Sequence, residues 1–349
     1  MENIALQPYF KIEYTAKSGK PKDITDDITN QVLSVSYTDQ RHGKADDINI
    51  TIEDSDGKWK DSWYPEKGDK ITLTIGYKGL VPISIPFLGG DKLECGEFEI
   101  DQMTISGPPD IISIKGTSIS LTSDIKTIRT VSYPPKGSPL DKIPLMQIVN
   151  SVAMSSGLMV HPKNVIDTMS LKINQNKSNA EFLLDLAEQT GHIFLIRNGL
   201  VVFTKKDETE LFPPVGTLTR KDVISYSMSD STHGIYKKCV VSYDELYTKK
   251  KITVTAENKD SPTDNILKIE KPFANEAEAK KYAESQLGNK SPAKKASFTI
   301  PGNHKMVAGA NILVDGFGHL DDKYRIESST HSINRSSGYT TVLEVKTYV

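Results

Sequence analysis

The sequence predicts a mainly β chain with an α+β middle domain. Three observations point there: apolar residues alternate with period two over residues 1–122 and again over 297–349, the texture turns helical near residue 134, and two distant stretches match each other in order. The first alternating runs are Leu33, Val35 and Tyr37; Ile48, Ile50 and Ile52; Ile71, Leu73, Ile75 and Tyr77; then Phe98 and Ile100. Such spacing sends one face of a strand inward and a Thr, Ser or charged face outward. Gly57, Pro65, Gly68, the Gly76/Gly79 pair, Gly89-Gly90 and Gly107-Pro108-Pro109 punctuate the runs as turns, at the spacing of a barrel or sandwich.

Tyr133-Pro134-Pro135-Lys136-Gly137 cannot continue a strand, so a boundary belongs near it. Leu145, Ile148, Val149 and Val152 follow the i, i+3, i+4, i+7 rule, with Pro144 suited to a first turn and Gly157 to a stop, which predicts a helix over 143–156. Ser178-Asn179-Ala180-Glu181 is a capping box opening a second helix, with Phe182, Leu183, Leu186 and Ala187 as its buried stripe and Gly191 as its end. The apolar runs 193–196 and 200–203 flank Arg197-Asn198-Gly199, and Asn-Gly is the strongest short hairpin signal. Strands resume after Pro213-Pro214, and residues 255–265, with Glu257, Lys259, Asp260, Ser261 and Pro262, read as a mobile polar loop. Asn275 and Glu278 mark a third helix through Ala279, Tyr282, Ala283 and Leu287, ending before Gly288, whose small apolar face suits a sheet. Alternation then returns in Phe298/Ile300, Ile312/Val314, Tyr324/Ile326 and finally Tyr339, Thr341, Leu343 and Val345. The chain divides on these marks into 1–125, 126–210 and 211–349.

Composition narrows the function. A chain of 349 residues holds two or three folded units, and two cysteines rule out a disulfide-stapled scaffold. Cys95 and Cys239 have no CxxC and no nearby His cluster, so they read as reduced core thiols rather than metal ligands. With 43 Lys+Arg against 45 Asp+Glu the formal net charge is -2, which argues against a protein that works by neutralising phosphates. The start Met1-Glu2-Asn3-Ile4 carries an acid and no apolar segment, and no 18 apolar residues run together, so a soluble product without membrane insertion is expected.

No residue set commands a catalytic, cofactor or metal assignment, and none is expected. Asp54-x-Asp56-Gly57 suggests a calcium loop, but the twelve-residue pattern would start at Ile52 and finish at Trp63, neither of them a ligand, so a polar turn is the reading. Histidines 42, 161, 192, 233, 304, 319 and 331 are scattered and read as surface or turn residues. Asp46-Asp47 flank a strand and read as solvated rather than catalytic, Lys249-Lys250-Lys251 as a charged strand edge or a phosphate contact, and Trp59, Trp63 and Tyr64 as packing rather than a sugar platform. A cell-wall or polysaccharide hydrolase, or a carbohydrate-binding module, stays open as the alternative, because two catalytic acids need only converge in space.

The matching stretches are Ile50-Thr51-Ile52, Gly68-Asp69-Lys70-Ile71-Thr72-Leu73, Gly76-Tyr77-Lys78-Gly79 and Phe98-Glu99-Ile100-Asp101 against Phe298-Thr299-Ile300, Gly309-Ala310-Asn311-Ile312-Leu313-Val314, Gly316-Phe317-Gly318 and Tyr324-Arg325-Ile326-Glu327. They suggest one unit used twice.

Several ordered blocks resemble the phage late control protein D family. They are Ala45-Asp46-Asp47-Ile48-Asn49-Ile50-Thr51-Ile52-Glu53-Asp54-Ser55-Asp56-Gly57, then Lys67-Gly68-Asp69, Ile75-Gly76-Tyr77, Gly96-Glu97-Phe98-Glu99-Ile100-Asp101, Gln175-Asn176-Lys177-Ser178-Asn179-Ala180-Glu181-Phe182-Leu183, Arg197-Asn198-Gly199 and Thr330-His331-Ser332-Ile333-Asn334. The resemblance covers nearly the whole chain and implies a baseplate hub protein of a contractile tail. It further implies two tube-protein-like β-barrels per chain, in 1–125 and 211–349, around an inserted α+β domain at 126–210. The expected assembly is a homotrimer between a sixfold tail tube and a threefold spike, with tube, spike, tape-measure and baseplate wedge proteins as partners and DNA passing through without specific binding. Relatives fused to a spike carry a further carboxy-terminal repeat, so a chain stopping at Val349 implies a separate spike polypeptide. The implied place is the virion tail baseplate, after synthesis in the host bacterial cytoplasm.

Size supports a ring. A unit of 100–120 residues is about 33 Å across, six such spheres leave a hole of about 33 Å, and three leave only about 5 Å. A duplex roughly 20 Å wide passes the larger hole alone.

Overall fold

In the computed structural model of the chain, the described residues are 7–17, 19–41, 45–78, 92–118, 124–162, 164–197, 200–205, 212–231, 235–244, 250–259, 261, 263–273, 275–289 and 294–347. The chain is mostly β. Its first alternating runs form β1 (Gln7–Thr15), β2 (Lys22–Asp23), β3 (Val32–Gln40), β4 (Asp47–Glu53), β5 (Lys70–Lys78), β6 (Lys92–Ser106) and β7 (Ile111–Thr117), with the short helix α1 (Thr25–Ile28) after β2. They lie in the order β3-β4-β7-β6-β5-β1-β2, each pair antiparallel. Ile12, Val35, Ile50, Trp59, Leu73, Phe98 and Ile114 meet in one core. Leu33 departs from its expected inward place because a bulge between Val32 and Ser34 turns Val32 into the core instead. The turn glycines 79, 89 and 90 lie outside the described residues.

The middle elements are β8 (Ile128–Tyr133), β9 (Ile143–Pro144), α2 (Leu145–Ser155), β10 (Met159–Val160), β11 (Ser170–Leu171), β12 (Ile173–Ser178), α3 (Asn179–Thr190), β13 (His192–Arg197) and β14 (Leu200–Lys205). Helix α2 begins later than expected, because Ile143 and Pro144 pair with Leu171 and Ser170 and Pro144 stands at the cap rather than in the first turn. Helix α3 starts as its capping box requires. Ser178 Oγ accepts the Glu181 N–H at 3.2 Å, Glu181 Oε2 accepts the Ser178 N–H at 3.2 Å, and Gly191 closes the helix at φ 72. Strands β13 and β14 pair antiparallel from His192↔Lys205 to Arg197↔Leu200; Asn198 and Gly199, expected as a hairpin turn, lie outside the described residues. Ile148, Val152, Phe182, Leu186 and Phe203 form a core separate from the first.

The remaining elements are β15 (Thr217–Leu218), β16 (Ser225–Ser229), β17 (Lys238–Asp244), β18 (Lys251–Glu257), β19 (Ile266–Glu270), α4 (Glu276–Asn289), β20 (Lys295–Pro301), β21 (Asn311–Val314), β22 (Asp322–Asn334) and β23 (Gly338–Thr347). Residues 255–257, expected in a loop, extend β18, while Asp260 and Pro262 lie outside the described residues. Helix α4 is opened by Asn275 Oδ1, which accepts the Glu278 N–H at 2.8 Å, and it runs through Gly288. A glycine in the last turn costs about 1 kcal/mol and does not by itself stop a helix. Ala279, Ala283 and Leu287 lie on the sheet β18-β17-β19, around a third core with Cys239, Val241 and Phe273. That unit also touches the middle elements, through Lys281 Nζ to Asp167 Oδ2 at 2.7 Å and the Ser285 hydroxyl donating to Glu188 O at 2.8 Å.

The other late strands lie in the order β16-β20-β23-β22-β21-β15 around Phe298, Ile312, Tyr324, Ile326 and Leu343. This repeats β3-β4-β7-β6-β5-β1 strand for strand, except that β15 pairs parallel to β21 where β1 is antiparallel to β5. The register repeats as well. Ile50 faces Ile114 as Phe298 faces Leu343, and β6 bulges at Asp101 where β22 bulges at Glu327. The Ile100 N–H donates to Asp69 O at 2.8 Å, and the Ile326 N–H donates to Ala310 O at 2.9 Å. Gly68 and Gly309 precede these acceptors at φ 94 and φ 87, a conformation that favours glycine.

Candidate functional site: the seam between the two strand sets

Strand β3 of the first set pairs antiparallel with β22 of the second, from Ser34↔Asn334 to Gln40↔Ser328, joining both into one 13-stranded sheet. The alternation of β3 puts Val35, Tyr37 and Asp39 on the covered face, opposite Ile333, His331 and Ser329. Tyr37 and His331 stack with ring centroids 6.2 Å apart. His331 is fully buried, and its Nε2 lies 3.1 Å from the carbonyl of Met306, which can only accept. The ring proton therefore sits on Nε2, and Nδ1 accepts the Tyr339 O–H at 2.8 Å. Burial pushes the imidazole pKa down to about 4, so it is neutral and satisfied.

Charge closes one end of the seam. The Arg41 N–H donates to Glu327 O at 3.0 Å, and Arg41 Nη1, Arg325 Nε and Lys346 Nζ stand 3.1, 3.4 and 3.5 Å from the Glu327 carboxylate. Burial pushes that carboxyl up, but the Arg41, Lys346 and Arg325 charges outweigh it and hold it below the usual range. Asp39, 1% exposed, accepts the Ala308 N–H at 2.9 Å across the same joint. The Tyr77 hydroxyl donates to Gly302 O at 2.9 Å, and a Cβ on Gly302 would fall 2.1 Å from the Tyr339 ring, so only glycine fits there. This arrangement holds two like units in one register.

The residues weighed from sequence lie elsewhere. Asp54 is buried and its Oδ1 accepts the Trp59 N–H at 3.1 Å, while Gly57 turns at φ 71, which makes the segment a hydrogen-bonded turn. Among the described residues no group of three or more His, Cys, Asp or Glu could hold a metal ion. Asp46, expected in solvent, is instead 4% exposed, with the Gln40 N–H donating to its Oδ1 at 2.9 Å and the Tyr37 hydroxyl to its Oδ2 at 3.3 Å. His192 and His331, expected near the surface, are buried because neighbouring groups satisfy both ring nitrogens; His192 Nε2 accepts the Asp167 N–H at 3.3 Å. His42 and His233 lie outside the described residues. Trp59 is 4% exposed and meets Trp63 edge-on at 5.7 Å, so the two form no open stacking platform. Cys95 and Cys239 are buried thiols that form no disulfide, and burial pushes Cys95 up. Lys251 lies on the edge strand β18 and pairs with Glu270 at 2.6 Å, while Lys249 lies outside the described residues.

No protein-family model matches the chain. It is 24% identical over 98% of its length to the probable baseplate hub protein of Escherichia phage 186, covering 93% of that protein. The probable baseplate hub protein of Escherichia phage P2 is 24% identical over 93% of the chain and 90% of its own length. This chain is a homologue of phage baseplate hub proteins. The fold agrees. The crystal structure of the tail protein from Neisseria meningitidis MC58 superposes on the hub homologue with a TM-score of 0.66 at 12% identity, covering 97% of this chain and 96% of that one.

The register exposes a repeat in the hub homologue that sequence reading passed over. Because Val35 faces Ile50 and Tyr226 faces Phe298, β3 and β16 are counterparts. Val32-Leu33-Ser34-Val35-Ser36-Tyr37-Thr38-Asp39 then aligns with Val223-Ile224-Ser225-Tyr226-Ser227-Met228-Ser229-Asp230 without a gap. His42-Gly43 and His233-Gly234 follow at equal distance, outside the described residues. The shared Val, Ser, Ser, Asp, His and Gly were the available signal.

Proposed function

We infer that this protein is a structural baseplate hub protein of a contractile phage tail or a phage-tail-like particle. The observation that carries the reading is the repeated strand order in a chain that is homologous to baseplate hub proteins over nearly its full length. Each strand set serves as one tube-protein-like barrel, so three chains present six like units to a sixfold tube and a true threefold axis to a spike. The middle α+β unit and the β17–β19 unit with α4 widen the ring. The net charge of -2 suits a channel that lets a phosphate backbone slide rather than holding it. Its activity is assembly, with tube, spike, tape-measure and wedge proteins as partners, and no bond-making chemistry is assigned to it.

The test is the mass of the purified protein by light scattering, alone and with its spike, followed by an image down the particle axis. A threefold particle with a central opening is expected. A stable monomer under both conditions, or a closed centre, overturns the reading.

A further inference from the structure

Counterpart positions on the two strand sets carry opposite charges. Asp47 faces Thr117 and Thr117 faces Glu99, while Lys295 faces Lys346 and Lys346 faces Arg325. The register that matches Ile50 with Phe298 and Ile100 with Ile326 makes these two rows counterparts, and it also matches Lys115 with Glu344. Directly opposed residues share a face of a sheet. Phe298, Tyr324, Ile326, Leu343 and Val345 point into the core, so the basic row lies on the other face. Both sets fold in the same register, so the fold does not dictate the sign. The basic row even works against stability, because Lys295 and Arg325 stand directly opposite Lys346 on either side and like charges so placed repel. Burial pushes the Lys346 ammonium below its usual range, and Arg41 and Arg325 add to this against the pull of Glu327. Among the described residues, the carboxylates on this patch are Glu327, which Arg41, Arg325 and Lys346 already share, and Glu344, which accepts the Ser297 hydroxyl at 2.7 Å.

We propose that the basic row docks an acidic segment of a partner polypeptide, whose carboxylates pair with the ammonium groups of Lys295 and Lys346 above the buried guanidinium groups of Arg325 and Arg41. Lys295 is exposed and, among the described residues, makes no ion pair. The Lys346 side chain is 36% exposed, whereas those of Arg41 and Arg325 are 5% and 4% exposed. The arginines therefore act as fixed charge beneath the two lysines, which reach the partner. The same chemistry already operates on the spot, because Glu327 is a carboxylate held by three of these cations. A carboxylate arriving from outside offsets the repulsion between Lys346 and its neighbours, and so gains more than it would at a lone exposed lysine. Nucleic acid is the poorer occupant. It binds through many phosphates along its length, and this row ends at Ser229 on one side and Asn311 on the other. The counterpart row, four strands away or about 19 Å, is acidic. The register and charges of a single chain set this site, whatever its assembly.

The experiment is fluorescence anisotropy on the full-length protein at low ionic strength, with a labelled oligoglutamate peptide and a labelled DNA duplex as probes. The peptide should bind the parent and be released as salt is added, since exposed charge pairs are screened. Lys295→Glu, at an exposed position, should weaken peptide binding about fivefold or more. The same variant should be no less stable than the parent in chemical unfolding, because it replaces a repulsion with an attraction to Lys346. Lys346→Met, which keeps the apolar stem and removes the charge, should weaken binding as well. Lys268→Glu makes the same charge change at an exposed site on β19 and should leave the affinity within about twofold of the parent. A parent that does not bind the peptide, or equal losses in Lys295→Glu and Lys268→Glu, overturns the site. A duplex that binds more tightly than the peptide and loses that affinity in Lys295→Glu overturns the acidic polypeptide as its occupant.

Discussion

The internal seam and the outer edge strand β16 are made from counterpart segments, yet one is buried and the other faces solvent. Strand β3 and strand β16 share their Val, Ser and Asp positions and the same register against the next strand. Val35 is 0% exposed and Tyr226 is 42% exposed. Burial at these positions thus depends on what lies alongside the strand, because an edge residue loses its solvent only when a further strand is added. The two sets also differ where they need not match. Gly116 in the first set would bring a Cβ within 3.0 Å of Glu99 O, while its counterpart Val345 is a buried side chain that closes the smaller second core.

The largest expected effect tests whether the two cores are equally essential. Phe98→Ala and Tyr324→Ala, at counterpart and fully buried positions, should each cost about 3–5 kcal/mol in chemical unfolding. A loss confined to one of them would show that the sets are not equivalent in stability.

The seam itself is broken next. Glu327→Gln leaves the side chains of Arg41 and Arg325, 5% and 4% exposed, without their carboxylate and should cost about 3 kcal/mol. Asp101→Asn, at the matching bulge without such a cluster, should change stability by less than about 0.5 kcal/mol. Equal effects would remove the distinction drawn between seam and edge.

Acid should weaken the protein through His192 and His331. Burial pushes both down to about 4, so between pH 4 and 6.5 the unfolded chain binds more protons than the folded one. The stability of the neutral imidazoles is full above about pH 6.5 and falls as pH drops toward 4, by about 3 kcal/mol per site. Unfolding measured across that range in His331→Asn should show a shallower slope than the parent; an unchanged slope would mean that the seam histidine is protonated in the folded state. The smallest effect belongs to the middle unit. Ser178→Ala removes the α3 cap and should cost about 1 kcal/mol.

Local chemistry was legible in the residues. The capping box at Ser178 and Glu181 and the alternation around Ile50, Leu73 and Phe98 depend on neighbours within a few positions, and the strands and helices follow them. So was the resemblance to hub proteins, carried by ordered blocks along the chain. What escaped reading depended on contacts distant in sequence. The bulge that turned Leu33 out, the burial of Asp46 and the start of α2 each answer to a partner strand or donor that no local pattern specifies. The repeat of β3 in β16 was present in the letters but diluted by the inserted units between its copies, and only shared register singled it out.

The sequence by itself determined the alternation, the caps and the duplicated pattern, because period and side-chain chemistry act over a few residues. Only the tertiary structure decided that β3 and β22, near opposite ends of the chain, share a seam, with Tyr37 against His331 and Arg41 against Glu327. Pairing across nearly three hundred positions is set by the fit of two finished surfaces, and that fit exists only once both have folded.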